Sequence, residues 1–100
     1  MGDVLTVVAK IHPKVDKADE VQAILVQMAD AVRRAEPDCL VYRPHRLQQD
    51  PVVFLFYEQY RSESAFDAHR TAPHLAGFRE QLRPLLSRAT EVEVYRSLTD

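Results

Sequence analysis

The stretch VVFLFYEQYRSESAFDAHRTAPHLAGF, residues 52–78, decides how this chain is read. Its first nine residues are too densely β-branched and aromatic for a surface loop, so residues 52–60 are expected to form a strand. Phe54, Phe56, Glu58 and Tyr60 share one face of it, and Val53, Leu55, Tyr57 and Gln59 the other. Polarity then rises at Arg61-Ser62-Glu63-Ser64, where a helix should begin. Either serine can cap it, and Ser64-x-x-Asp67 fits a capping box. Phe66 is the clearest apolar anchor of that helix. Pro73 suits the first turn of a further helical segment, with Leu75, Phe78, Leu82 and Leu85 or Leu86 as its buried stripe. Pro84 should kink or end it.

Working back from this stretch, Gln48-Gln49-Asp50-Pro51 reads as a short turn that joins residues 52–60 to a strand over 39–47 in a hairpin. Pro44 cannot donate a ladder hydrogen bond, so that strand is placed at a sheet edge or given a bulge. Glu36-Pro37-Asp38 stops a helix over 17–35, because proline disfavours helical geometry in the residue before it. Asp16 is a plausible N-cap for that helix. Val21, Ile24, Leu25, Met28, Val32 and Ala35 form its core-facing stripe. Residues 4–11 alternate in a pattern apolar on both faces, which marks a central strand. After residue 90 a last strand is expected, with Val92, Val94 and Leu98 facing in and Glu91, Glu93 and Tyr95 alternating with them.

The order strand, helix, strand, strand, helix, strand is ferredoxin-like: an α+β fold with a four-stranded antiparallel sheet and its helices on one face. One helical layer leaves the other sheet face bare. That face is also apolar, so a second copy of the chain is expected to cover it, giving a homodimer, a dimeric α+β barrel with a chamber beneath each helical layer.

Composition bounds the function. One hundred residues make a single domain, 1–100, and bury roughly 65% of the unfolded surface, enough for a core without staples. A net charge of −2 with scattered basic residues argues against binding nucleic acid. The single cysteine, Cys39, has no internal partner and fits a reducing, cytoplasmic setting. No apolar run approaches the roughly 20 residues of a membrane span, and no signal-peptide pattern opens the chain. Two glycines exclude Gly-rich phosphate loops. The histidines lack the spacing of a helical zinc pair, and Cys39 has no companion thiol, so no metal site is expected.

Three segments together carry a family resemblance. They are Glu36-Pro37-Asp38-Cys39-Leu40-Val41-Tyr42, Tyr57-Glu58-Gln59-Tyr60, and Ala65-Phe66-Asp67-Ala68-His69 followed by Ala72-Pro73-His74 and Phe78. In order and spacing they resemble the antibiotic-biosynthesis monooxygenase family of small dimeric α+β-barrel proteins. Tyr60 stands where many members carry Trp, and Asp38 where many carry Gly. The resemblance implies oxygenation of an electron-rich aromatic, such as a phenol or quinol, by dioxygen with no cofactor. It implies His69 as base or orienter and Tyr60 as a hydrogen-bonding wall, the two catalytic candidates. Glu58, Phe56, Tyr42, His74 and Phe78 are the substrate-binding candidates.

Each of these has a plainer reading. His69 can bond a carbonyl or carboxylate to fix its helix, and Tyr60 can be a strand-end aromatic. Glu58 can hold an imidazole or pair with an arginine, and His74 can be a pocket or cap-region residue. Tyr42, Phe56 and Phe78 can be core. Two other functions stay open at this point. One is a non-catalytic dimer that binds or senses an aromatic metabolite. The other is a haem-handling protein, for which no convincing ligand set is found.

Overall fold

The computed structural model describes residues 4–99. Strand β1 (Leu5–Ile11) leads through a 3-10 turn at Val15–Lys17 into helix α1 (Ala18–Ala35). Strands β2 (Cys39–Arg46) and β3 (Phe54–Tyr60) follow, then helices α2 (Glu63–Arg70) and α3 (Pro73–Leu82), and finally strand β4 (Glu91–Arg96). All pairings are antiparallel and the sheet order is β2-β3-β1-β4, the ferredoxin-like topology expected. The two strands apolar on both faces, β1 and β3, are the central ones. The proline-bearing strand β2 lies at an edge, although its bulge falls between Cys39 and Val41 rather than at Pro44.

Register fixes the faces. Leu5, Val7, Ala9 and Ile11 stand opposite Tyr60, Glu58, Phe56 and Phe54 of β3, and all eight are buried under the helices. From α1, Val21, Ile24, Leu25, Met28 and Val32 descend on them, while Ala35, the last of the expected stripe, is exposed. Fully burying a side chain such as Leu25 or Leu75 contributes about 1.5–3 kcal/mol. A smaller cluster of Leu5, Val7, Tyr60 and Phe66 fills the β3 end beneath α2.

Some local expectations are corrected. Asp16 does not cap α1; it lies within the 3-10 turn, and the helix starts at Ala18 with no side-chain cap. Ser62, not Ser64, caps α2, its hydroxyl accepting from the Ala65 amide at 3.2 Å. The final strand is not tucked in. Val92 and Val94 lie on the helix side, opposite Ala9 and Val7, yet stay 56% and 51% exposed because the helical layer stops short of that edge. Leu98 lies past the strand and is 93% exposed. The shortfall leaves a cavity of about 730 Å³ between sheet and helices, with Val7, Ala9, Phe56, Val92 and Val94 as its floor. The opposite sheet face carries Thr6, Val8, Leu55, Tyr57 and Tyr95, with Tyr57 and Tyr95 well exposed. No helix among the described residues is long and apolar enough to cross a membrane.

Candidate active site

Pro37 forces Glu36 out of helical geometry, to φ −126° and ψ 82°, while the Glu36 amide still bonds the Val32 carbonyl at 2.9 Å. The Glu36 carboxylate therefore leaves the axis of α1 and enters the gap between the end of α2 and the start of α3. Only Thr71 and Ala72 separate those helices, so their facing ends present two imidazoles to one carboxylate. His69 Nδ1 is 2.9 Å from Glu36 Oε1, and His74 Nε2 is 2.6 Å from Glu36 Oε2. A carboxylate accepts, so both imidazole nitrogens donate, which sets the tautomer of His69 as Nδ1–H.

That leaves Nε2 of His69 as its open nitrogen, with no protein partner among the described residues. No buried side-chain nitrogen or oxygen is orphaned there. Nε2 therefore meets open space, and His69 lines the cavity. Tyr42 and Tyr60 flank the imidazole, with ring centroids 5.0 and 5.2 Å away. Burial outweighs the pull of Glu36 and lowers the pKa of His69 below its ordinary 6.5, so the ring is neutral near pH 7.

Among the described residues, Glu58 is the one carboxylate on the cavity wall. It is 4% exposed, and burial raises its pKa to about 7, opposed by the hydroxyl of Tyr60, which donates to Oε1 at 2.6 Å. Its partner is thus a phenol, neither an imidazole nor an arginine. The hydroxyl of Tyr60 is held protonated far above its usual range, by burial and then by Glu58. Tyr42 stacks on Phe56 at 4.2 Å, and burial raises its pKa as well.

The structure divides the candidates. His69, Glu58, Phe56 and Tyr42 line the cavity. Tyr60 is fully buried behind Glu58, His74 stands behind Glu36, and Phe78 packs against the main core. Two residues not singled out in the sequence belong to the arrangement, Glu36 and Arg79. Glu36 had a sufficient local role as a helix stop. Arg79 lines the cavity and donates to the carbonyls of Arg70 and His69 at 2.9 and 3.1 Å. No local pattern marks either, since their partners come from other helices.

Among the described residues no group of three or more His, Cys, Asp or Glu is set out to hold a metal ion. Cys39 is no ready nucleophile, because burial and then the nearby Glu36 push its thiol up to about 12. The arrangement can accept a proton at His69 Nε2 from a ligand on an apolar floor, and exchange one at Glu58.

The model of the family described as antibiotic biosynthesis monooxygenase matches residues 4–81. A Mycobacterium tuberculosis protein, Rv0793, provisionally named a monooxygenase, is 33% identical over 100 residues, covering 100% of this chain and 97% of that protein. Its solved structure superposes with a TM-score of 0.87 at 31% identity, covering 97% of both chains. A structure from Caulobacter crescentus superposes at 0.91 with 24% identity, covering 98% of this chain and 92% of that one, a likeness of fold. The Synechocystis protein sll1783 is 32% identical over 94% of this chain, which spans 63% of that protein's length. The matched segment holds Glu36, Glu58, Tyr60, His69 and His74, and at this coverage and identity the chain belongs to the antibiotic biosynthesis monooxygenase family.

Proposed function

We propose that the protein is a monooxygenase that uses dioxygen to oxidise a phenolic or quinolic arene without a cofactor, and that it works as a homodimer. The observation that carries this reading is His69, fixed through Nδ1 by Glu36 and open at Nε2 to an apolar cavity. Dioxygen has a triplet ground state and reacts poorly with closed-shell molecules, so the substrate must be made a better electron donor. His69 Nε2 takes the phenol proton. The resulting phenolate gives one electron to dioxygen, forming a phenoxyl radical and superoxide. These combine at a ring carbon as a peroxide anion, which takes the proton back from the imidazolium. Loss of water, with the ring-carbon hydrogen leaving as a proton, gives a quinone. Phenol and dioxygen thus become quinone and water, in balance.

In this scheme His69 is the catalytic base, worth typically 10²–10⁴ in rate. Glu36 is a positioning residue that holds the tautomer and stabilises the imidazolium. Tyr60 positions Glu58, whose protonated carboxyl can donate to the peroxide. Phe56 and Tyr42 bound the ring, and His74 holds the second oxygen of Glu36. The second subunit covers the bare sheet face around Val8, Leu55, Tyr57 and Tyr95.

Oxygen uptake by metal-free protein with a panel of phenols and hydroquinones tests the reading. Uptake with at least one of them, lowered about 100-fold or more in His69→Ala, is expected. Equal uptake in the variant removes His69 from the mechanism. Saturable binding without uptake makes the protein a binding module instead.

A further inference from the structure

The cavity is apolar on its floor and cationic on one wall. Arg70, Arg79 and Arg83 all line it, and Glu58 is the one carboxylate among the described residues that does. The three cations are not equivalent. Arg70 lies 3.7 Å from Asp67, and Arg83 lies 2.9 Å from Glu80, both as exposed pairs one helical turn apart. Arg79 has no carboxylate within ion-pair distance among the described residues. Its Nη1 and Nη2 hold the carbonyls of Arg70 and His69, which pins the guanidinium at the cavity without an ion pair, its charge offset only in part by the more distant Glu58. The residue is only partly exposed. A partly buried cation with no ion-pair partner in a largely apolar cavity costs desolvation energy that a bound anion would offset.

We propose that the substrate is a hydroxyarene that also carries a carboxylate, with its ring on Val7, Ala9 and Phe56, its hydroxyl at His69 Nε2 and its carboxylate on the guanidinium of Arg79. This rests on reading the cavity as the substrate site, and names the substrate's class. One cation without an ion pair among the described residues matches one negative charge. A phosphate dianion would call for a second free cation, and Arg70 and Arg83 already have partners. A cavity of about 730 Å³ suits a ligand of two or three fused rings.

Calorimetry under nitrogen, with 4-hydroxy-2-naphthoate, its decarboxylated counterpart 1-naphthol, and 1-naphthyl phosphate, tests this. The naphthoate should bind at least ten-fold more tightly than either other compound. Raising salt from 50 to 500 mM should weaken only the charged ligands. Arg79→Gln should erase the preference over naphthol and Arg79→Lys should keep part of it. Arg33→Gln, which removes a remote charge, should shift it less than two-fold. If Arg79→Gln fails to fold by circular dichroism, the wild-type preference and its salt dependence decide the matter. Naphthol binding as tightly as the naphthoate, phosphate binding more tightly, or no binding by any of the three overturns the proposal. Oxygen uptake is measured separately. A tightly bound naphthoate that is never oxidised removes the monooxygenase reading and leaves this one; faster oxidation and tighter binding of naphthol does the reverse.

Discussion

Two regions of the molecule each shield a carboxylate from solvent, Glu36 largely and Glu58 almost wholly, and they do so on different terms. In the corner where three helix ends meet, Glu36 receives N–H groups from His69 and His74. On the sheet floor, Glu58 receives one phenolic hydroxyl and shares a largely apolar cavity with His69 and Arg79. The corner joins elements, because its three residues come from the end of α1, the end of α2 and the start of α3. The floor stores a proton, because Glu58 needs only its own strand neighbour Tyr60 and sits near pH 7. The contrast teaches that burial alone does not give a buried carboxylate its role; the number and origin of its donors do.

The sharpest way to break this comparison is to empty the corner. Glu36→Ala leaves two imidazoles without their acceptor, one of them 6% exposed. It should cost about 3 kcal/mol in urea denaturation, mostly for the buried N–H of His69 left without an acceptor. A cost under about 1 kcal/mol would mean that the corner does not tie the helices together. Glu36→Gln keeps the volume but removes the charge, and should lower oxygen uptake more than it lowers stability.

The floor should respond with the opposite pH signature. The pKa of Glu58 is raised from an ordinary 4.5 to about 7 in the folded state, so between those values the folded protein binds more protons than the unfolded one. The stability from this group is full below pH 4.5 and is lost as pH rises to 7. Glu58→Gln should therefore gain up to about 3 kcal/mol relative to wild type at pH 8, and little at pH 4. His69 carries the reverse sign. Its lowered pKa gives stability that is present above pH 6.5 and lost as pH falls. Glu36, His74 and Arg79 act on it and Glu58 lines the same cavity, so the titration is repeated in Glu58→Gln to remove the contribution of Glu58 from the His69 limb. A stability curve for wild type and Glu58→Gln that stays parallel from pH 4 to 8 would contradict this assignment.

Tyr60→Phe sharpens the floor side alone. It removes the sole donor to Glu58 among the described residues and should cost about 1–2 kcal/mol at pH 8, where the carboxylate is ionised, and less at pH 5. The smallest effect belongs to Ser62→Ala, which removes the α2 cap outside both regions and should cost about 1 kcal/mol by thermal melting, with no pH dependence.

The floor was legible in the sequence and the corner was not. Phe54, Phe56, Glu58 and Tyr60 declare a shared face through strict alternation, and hydrophobic spacing assigns α1 its buried side. Glu58 beside Tyr60 on that face follows from the period of two, though its bond to Tyr60 rather than to an imidazole or arginine does not. Glu36 looked complete as a helix stop, since Pro37 explains it. Its partners lie 33 and 38 residues on, and only the packing of α1 against the α2–α3 joint brings them in. The exposure of Val92 and Val94 was hidden for a similar reason. Alternation says which way a side chain faces, and it does not say how far a helical layer extends.

The central claim is that Glu36 fixes His69 as the Nδ1–H tautomer with Nε2 free for a ligand's proton. Long-range ¹H–¹⁵N correlation spectra of the imidazoles read this directly at pH 7.5. The account predicts a protonated Nδ1 and a bare Nε2 for His69, a loss of that tautomer's dominance in Glu36→Gln, and a marked shift of Nε2 alone when a phenol is added under nitrogen. A His69 that is Nε2–H in the wild type, or whose Nε2 ignores every bound phenol, would contradict it.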